Sequence, residues 1–396
     1  MKKRLTFLLA IAALLVGACI YDFDAGLMGE EGTLVVEGDI LIGEYTNVRL
    51  SRSMGLTGPD GMIIVSGVCY VEASDGTRYG NGSTRIDTRN ADPSLKYRLV
   101  VETGGRNYTS EWESVIQAPA IDSLSYSINS DGSLMTIEVT TLPGGEDNRY
   151  YRWVAEQTWE YHAPFQASHY FVQSGSTLDG ERVTRDTVVM FKNGANSYYC
   201  WNNSVVHDVM VATTDQLAEN RLVRHPLYEI DCYDQRLSYL YSVLLRQEAV
   251  SETAYRYWTM LQKNTTDVGG LFSPEPYEMR GNITCIENPS EMVLGYISVT
   301  APTSTRYFLK SSDIRFHKTR RSDYEYEPVY VQRSEWRTYY RRNYDVYMIH
   351  TDEGAGTGRE TESDYEFDWL PNRCIKCWLS GTGTKERPAW WPNDHL

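Results

Sequence analysis

Seven cysteines, at positions 19, 69, 200, 232, 285, 374 and 377, carry the reactive chemistry that position constrains most. Cys19 stands apart, directly behind Val16-Gly17-Ala18 at the end of an apolar run, where removal of a leader would leave its thiol and amine for acylation. The other six are an even number, which suits disulfides in an oxidising compartment, and spacing alone does not choose among their pairings. Cys374-Ile375-Lys376-Cys377 has the spacing of half a zinc site, yet no second pair follows and no thioredoxin-like βαβ pattern surrounds it, so neither a metal nor redox turnover is expected. Seven histidines scatter without HExxH, and GxSxG, Walker and GxGxxG patterns are absent from the sequence. No cofactor is therefore expected. Carboxylate pairs for glycoside hydrolysis stay open, because 53 acidic residues offer many pairs and their separation is a tertiary property.

One further segment has composition suited to binding. Tyr324, Tyr326, Tyr330, Trp336, Tyr339, Tyr340 and Tyr344 are interleaved with Arg333, Arg337, Arg341 and Arg342. Flat amphipathic rings beside guanidinium groups suit a sugar, a peptide or a protein partner. The alternative is an edge hairpin whose arginine stems cover the rings. Nucleic acid is disfavoured by the charge: 38 basic against 53 acidic residues give −15, and −18 once Lys2, Lys3 and Arg4 leave with the leader.

Those groups must be held by a scaffold, and 396 residues with 41% hydrophobic and 23% charged content can bury a core of two or three domains. Residues 1–18 read as a signal peptide: the basic start precedes an apolar run from Leu5 to Val16 that is too short to span a bilayer. The Val16-Gly17-Ala18-Cys19 junction resembles the lipobox of bacterial lipoproteins, so residues 19–32 form a lipidated tether. Asp22 and Asp24 resemble an acidic surface-export signal, which places the protein on the outer membrane, lipid-anchored and facing the cell exterior.

Residues 33–118 carry alternating apolar and polar positions between turn residues, with hairpins expected at Asp75-Gly76 and Gly104-Gly105. About seven short strands at this spacing suggest an immunoglobulin-like β-sandwich. Residues 119–396 form a larger β-rich domain, with a hairpin at Asp131-Gly132. Near 234–264 the period changes: Leu237, Leu240, Tyr241 and Leu244 behind Asp234, then Ala254, Tyr257, Trp258 and Leu261 behind Ser251, predict a short helical hairpin. The fold class expected is mainly β.

Ordered motifs then carry a resemblance. Leu34-Val35-Val36-Glu37-Gly38, Leu240 to Gln247, Gly269 to Pro276, Gly281-Asn282-Ile283-Thr284-Cys285, Leu294-Gly295-Tyr296, the Cys374–Cys377 motif and Lys385 to Trp391 follow one another along nearly the whole mature chain. Together they resemble a Bacteroidota outer-membrane lipoprotein family, number forty-two forty-nine of the unknown-function series. The resemblance implies partnership with a SusC-like TonB-dependent β-barrel transporter, and the leading expectation is a non-enzymatic role in nutrient uptake, with a glycan or peptide as the ligand that the Tyr-rich segment would suit. It also frames the cysteines: Cys285 is expected to pair with Cys374 or Cys377, fastening the C-terminal tail to the family's central loop, and Cys200 with Cys232. Lys376 stands where the family usually has Asp, and the Tyr-rich segment looks individual. A structural or adhesive surface lipoprotein and a hydrolase of a surface polymer are the competing readings.

Overall fold

Turn chemistry fixes the first hairpins. The computed structural model describes residues 32–53, 63–145, 148–191, 197–266, 280–314, 326–350 and 366–392. Strands Val68–Ala73 and Arg78–Tyr79 pair across Asp75-Gly76, where Gly76 takes φ +90° and the Asp75 carboxylate accepts from the Thr77 amide at 2.8 Å. Lys96–Thr103 and Arg106–Ser110 pair across Gly104 and Gly105, both at positive φ, as a two-residue hairpin loop requires. The Asp131-Gly132 hairpin joins Ile121–Ile128 to Leu134–Thr141 through a longer loop, with Gly132 at positive φ and the Asn129 and Asp131 side chains accepting from the Ser133 amide. Alternation becomes burial: Leu34 and Val36 of strand Leu34–Glu37 point into a core with Leu50, Val71, Leu99 and Val101.

That core is completed from far along the chain. Ile283–Cys285 pairs antiparallel with Arg106–Ser110, Val293–Leu294 runs parallel to Leu34–Glu37, and Val299–Ala301 lies parallel between Ile40–Leu41 and Ile116–Gln117. The first unit therefore does not close at residue 118; residues 283–301 belong to it, and the parallel pairings are an addition that a local reading of hairpins does not contain. Two glycines make the return possible. A Cβ on Gly281 would collide with the Gly295 carbonyl, and one on Gly295, itself at φ +122°, with the Val36 carbonyl. Asn282 sews the same crossing, donating from Nδ2 to the Ile297 carbonyl at 2.9 Å and accepting from the Ile297 amide at 2.8 Å.

The second unit is built on a five-stranded sheet. Edge strand Tyr199–Val205, long strand Tyr150–His162, central strand Leu240–Ala249 and outer strand Thr303–Lys310 follow one another, and Met210–Thr213 adds to the long strand beyond the edge strand. Here the structure corrects a helix expectation. Asp234 does cap a turn, accepting from the Arg236 amide at 2.8 Å, but the turn is a 3-10 element of three residues, Gln235–Leu237. Residues Leu240–Ala249 then run as a strand flanked on both edges, with eight of ten positions buried. Apolar residues at i, i+3, i+4 and i+7 are equally produced by a strand covered on both faces, and only the neighbouring edges decide between the two. The second helix forms as expected over Glu252–Thr266, with Ser251 Oγ accepting from the Ala254 amide at 3.2 Å.

A smaller sheet of Val329–Val331, Phe367–Pro371 and Tyr344–Ile349, with helix Trp336–Arg341, encloses Phe171, Trp336 and Trp369. The tail from 372 to 392 then lies against the edge strand, where Thr384 and Trp201 exchange backbone hydrogen bonds at 2.8 Å in both directions.

Candidate functional site

Period-two alternation gives the five-stranded sheet two unlike faces. Tyr151, Trp153, Ala155, Tyr241, Val243 and Leu245 point to one side and fill a core. The residues between them point the other way: Arg152, Glu156, Thr158 and Glu160 on the long strand, Ser242, Arg246 and Glu248 on the central strand, Arg306 and Phe308 on the outer strand, and Trp201 and Asn203 on the edge strand. This second face is mixed, its polar groups interrupted by Val154, Leu244, Val205 and Phe308. In its middle lies a trough of about 290 Å³, lined by Glu156, Thr158, Asn203, Arg306 and, from the tail, Thr384 and Trp390.

Arg306 is the most constrained group in the trough. Its guanidinium stacks 3.5 Å from the centroid of the Trp390 ring, and Nη1 donates to Ser242 Oγ at 3.2 Å. Burial pulls its pKa below the ordinary arginine value, with Glu156 opposing that shift. Asn202 Nδ2 donates to Thr382 Oγ1 at 3.0 Å, which holds the tail against the edge strand. Hydroxyls, side-chain amides, an indole and one cation on a rigid sheet can bind a polar ligand by hydrogen bonds and ring contact.

The wall carrying Trp390 is positioned by three devices. Cys200 in the edge strand is bonded to Cys377 in the tail, across 177 residues of chain. Trp391 donates from its indole nitrogen to Glu160 Oε2 at 3.1 Å, and Glu160 Oε1 pairs with His162 Nε2 at 2.7 Å. Gly383 lies where a Cβ would meet both the Trp201 carbonyl and the Tyr161 ring. Farther along the same face an ionic cluster joins the two units: Arg152 contacts Asp39 of the first unit at 2.5 Å and Glu248 at 3.2 Å, Arg246 contacts Glu248 at 2.9 Å, and Trp258 of the long helix covers Arg152 at 3.9 Å. Burial raises the Glu248 pKa, opposed first by Arg152.

The disulfide corrects both expected pairings. Cys200 is bonded to Cys377, not to Cys232, and neither Cys374 nor Cys377 reaches Cys285. Cys285 lies in the first core opposite Tyr108, in a row that continues through Val101 to Cys69, while Cys374 packs with Ala167, Leu370 and Ile375. A four-residue motif places one cysteine on the edge strand's side and the other inside a core, so only the former finds a partner. Cys19 and Tyr324 lie outside the described residues.

The remaining Tyr-rich positions do not share one face. Trp336 is 5% exposed and donates to the Val331 carbonyl at 3.2 Å, with Arg333 over its ring. Tyr339 and Tyr344 meet edge to face at 5.4 Å against the same core, and Tyr326 is half-buried with Arg373 over its ring. Tyr330 and Tyr340 are exposed, but each packs on a ring, His350 and Phe171 respectively. The trough residues Glu156, Asn203 and Arg306 were missed by sequence reasoning. Their signal was the more polar half of strands whose apolar half was read, and Trp390 was noticed only as part of a terminal motif.

No curated protein matches the chain. A family described as "Domain of unknown function (DUF4249)" matches residues 20–306, which leaves the Tyr-rich segment and the C-terminal tail beyond the matched region. With that match spanning more than half of its length, the chain belongs to the DUF4249 family.

Proposed function

We propose that this protein is a lipid-anchored, surface-exposed capture protein of the outer membrane, working beside a SusC-like TonB-dependent β-barrel transporter and binding a polar nutrient without chemical turnover. The observation that carries the reading is the trough: amide, hydroxyl, indole and guanidinium groups converge there on a rigid sheet, in the manner of a reversible binding site. The leader and the Val16-Gly17-Ala18-Cys19 junction support the anchor, and the family resemblance supports the partner.

The test is mass spectrometry of tagged protein purified from its own outer membranes in mild detergent. A stoichiometric β-barrel transporter is the expected companion, and recovery of the lipoprotein alone would refute the partnership. Cys19→Ala is expected to release the protein from membranes; retention of that variant would remove the lipid anchor from the reading.

A further inference from the structure

Arg306 differs from the arginines that line the rest of the second unit's sheet and its flanking turn, Arg152, Arg246 and Arg236. Arg152 contacts Asp39 and Glu248, Arg246 contacts Glu248, and Arg236 contacts Asp234 at 2.8 Å, so each cation is neutralised by a carboxylate. Arg306 makes no ion pair within 4.0 Å among the described residues; its partners are the Trp390 ring and the Ser242 hydroxyl. A guanidinium held flat by stacking, with one of its five donors used, presents a fixed fork toward the trough. Taking a cation partly out of water is costly, and Glu156, which acts on Arg306 from beyond 4.0 Å, offsets only part of that cost; an anion in direct contact would offset more.

We propose that the trough recognises an acidic saccharide, with a uronate carboxylate seated on Arg306 and the sugar hydroxyls on Thr158, Asn203 and Glu156. The inference rests on the capture reading above and adds the ligand class. On the edge strand Tyr199–Val205 a peptide cannot add as a strand across Trp201, because Thr384 already takes that backbone edge in both directions. Side-chain amides and hydroxyls both donate and accept, which matches hydroxyl groups of either role. Glu156 supplies an acceptor and limits the anionic groups that can sit close by. A chain of net charge −15 repels anions at long range, so affinity must come from this contact and not from steering.

The test is calorimetric titration of the full-length lipoprotein in detergent with three probes: galacturonic acid trimer, its methyl ester, and trialanine. The acid trimer is expected to bind, and esterification to weaken binding by about 10- to 100-fold, the range of a charge-assisted hydrogen-bonded pair. Arg306→Gln is expected to give the same loss for the acid and little change for the ester, whereas Asn203→Ala weakens acid and ester alike by a few-fold. Equal binding of acid and ester, or an acid trimer indifferent to Arg306→Gln, overturns the carboxylate assignment. Trialanine binding that depends on Arg306 overturns the saccharide assignment. If no probe binds, this inference falls, while the capture reading is still decided by recovery of the transporter, which does not involve Arg306. Should Arg306→Gln fail to fold, the comparison of acid with ester on the unaltered protein decides the carboxylate alone.

Discussion

Removing the Cys200–Cys377 bond is expected to be the largest single-site loss of stability in the second unit. The bond closes a loop across 177 residues, and the chain entropy that such a cross-link withholds from the unfolded state is about 5 kcal/mol. Both sulfurs are fully buried, packed among Tyr161, Ala163, Trp159, Tyr198 and Trp378, so replacement by alanine opens a small cavity without placing a hydroxyl there. The appropriate variant is Cys200→Ala with Cys377→Ala, followed by urea titration of the full-length protein. Because several sheets can unfold separately, tryptophan emission is the readout: Trp201, Trp390 and Trp391 lie beside the stapled tail. Cys285→Ala and Cys374→Ala serve as controls, each expected to cost only about 1 kcal/mol for lost packing. Digestion without reduction should release one peptide pair containing Cys200 and Cys377. A Cys200–Cys232 or Cys285–Cys374 linkage, or a double variant that loses less than about 1 kcal/mol, would refute the reasoning.

Other expected outcomes concern charge and core. Arg152→Met strands the buried Asp39 carboxylate and leaves Glu248 to Arg246 alone, and is expected to cost about 3–5 kcal/mol in urea titration; a neutral result would show that the cluster does not join the units as described. Hydrogen bonds from Arg98 lower the Glu72 pKa below its ordinary 4.5, and those from Arg337 lower Asp186 below 3.8. A carboxylate depressed in the folded state stabilises above its unfolded pKa and loses that contribution as pH falls through the folded one. Melting temperatures should therefore hold above about pH 4.5 and drop below it, and a smaller acid slope is expected for Arg337→Gln; an unchanged slope would contradict that pairing. Trp336→Ala is expected to destabilise by about 3–5 kcal/mol in thermal or urea melts, as a core truncation does, and a variant of unaltered stability would return Trp336 to the surface.

Near neighbours in the sequence account for much of the fold. Asp75-Gly76, Gly104-Gly105 and Asp131-Gly132 fold as hairpins because positive φ and side-chain-to-backbone hydrogen bonds are properties of those residues themselves. Ser251 starts the helix Glu252–Thr266 for the same kind of reason, and the mainly β class follows from alternation repeated along the chain. These signals act within a few residues, so they survive without knowledge of the rest.

What the tertiary structure decided involves partners far away in sequence. Leu240–Ala249 is a strand because the long and outer strands offer it two edges, and the same apolar spacing would have served a helix had those edges been elsewhere. Residues 283–301 return to the first core because Gly281 and Gly295 let backbones touch, an advantage visible only once Val36 is brought alongside. Cys377 meets Cys200 because the tail crosses the edge strand, and the trough exists because that crossing stacks Trp390 on Arg306. Hydrogen-bonding edges, thiols and ring faces carry no address in sequence. Their partners are chosen by the global arrangement that leaves the fewest polar groups unmet and the most apolar surface covered.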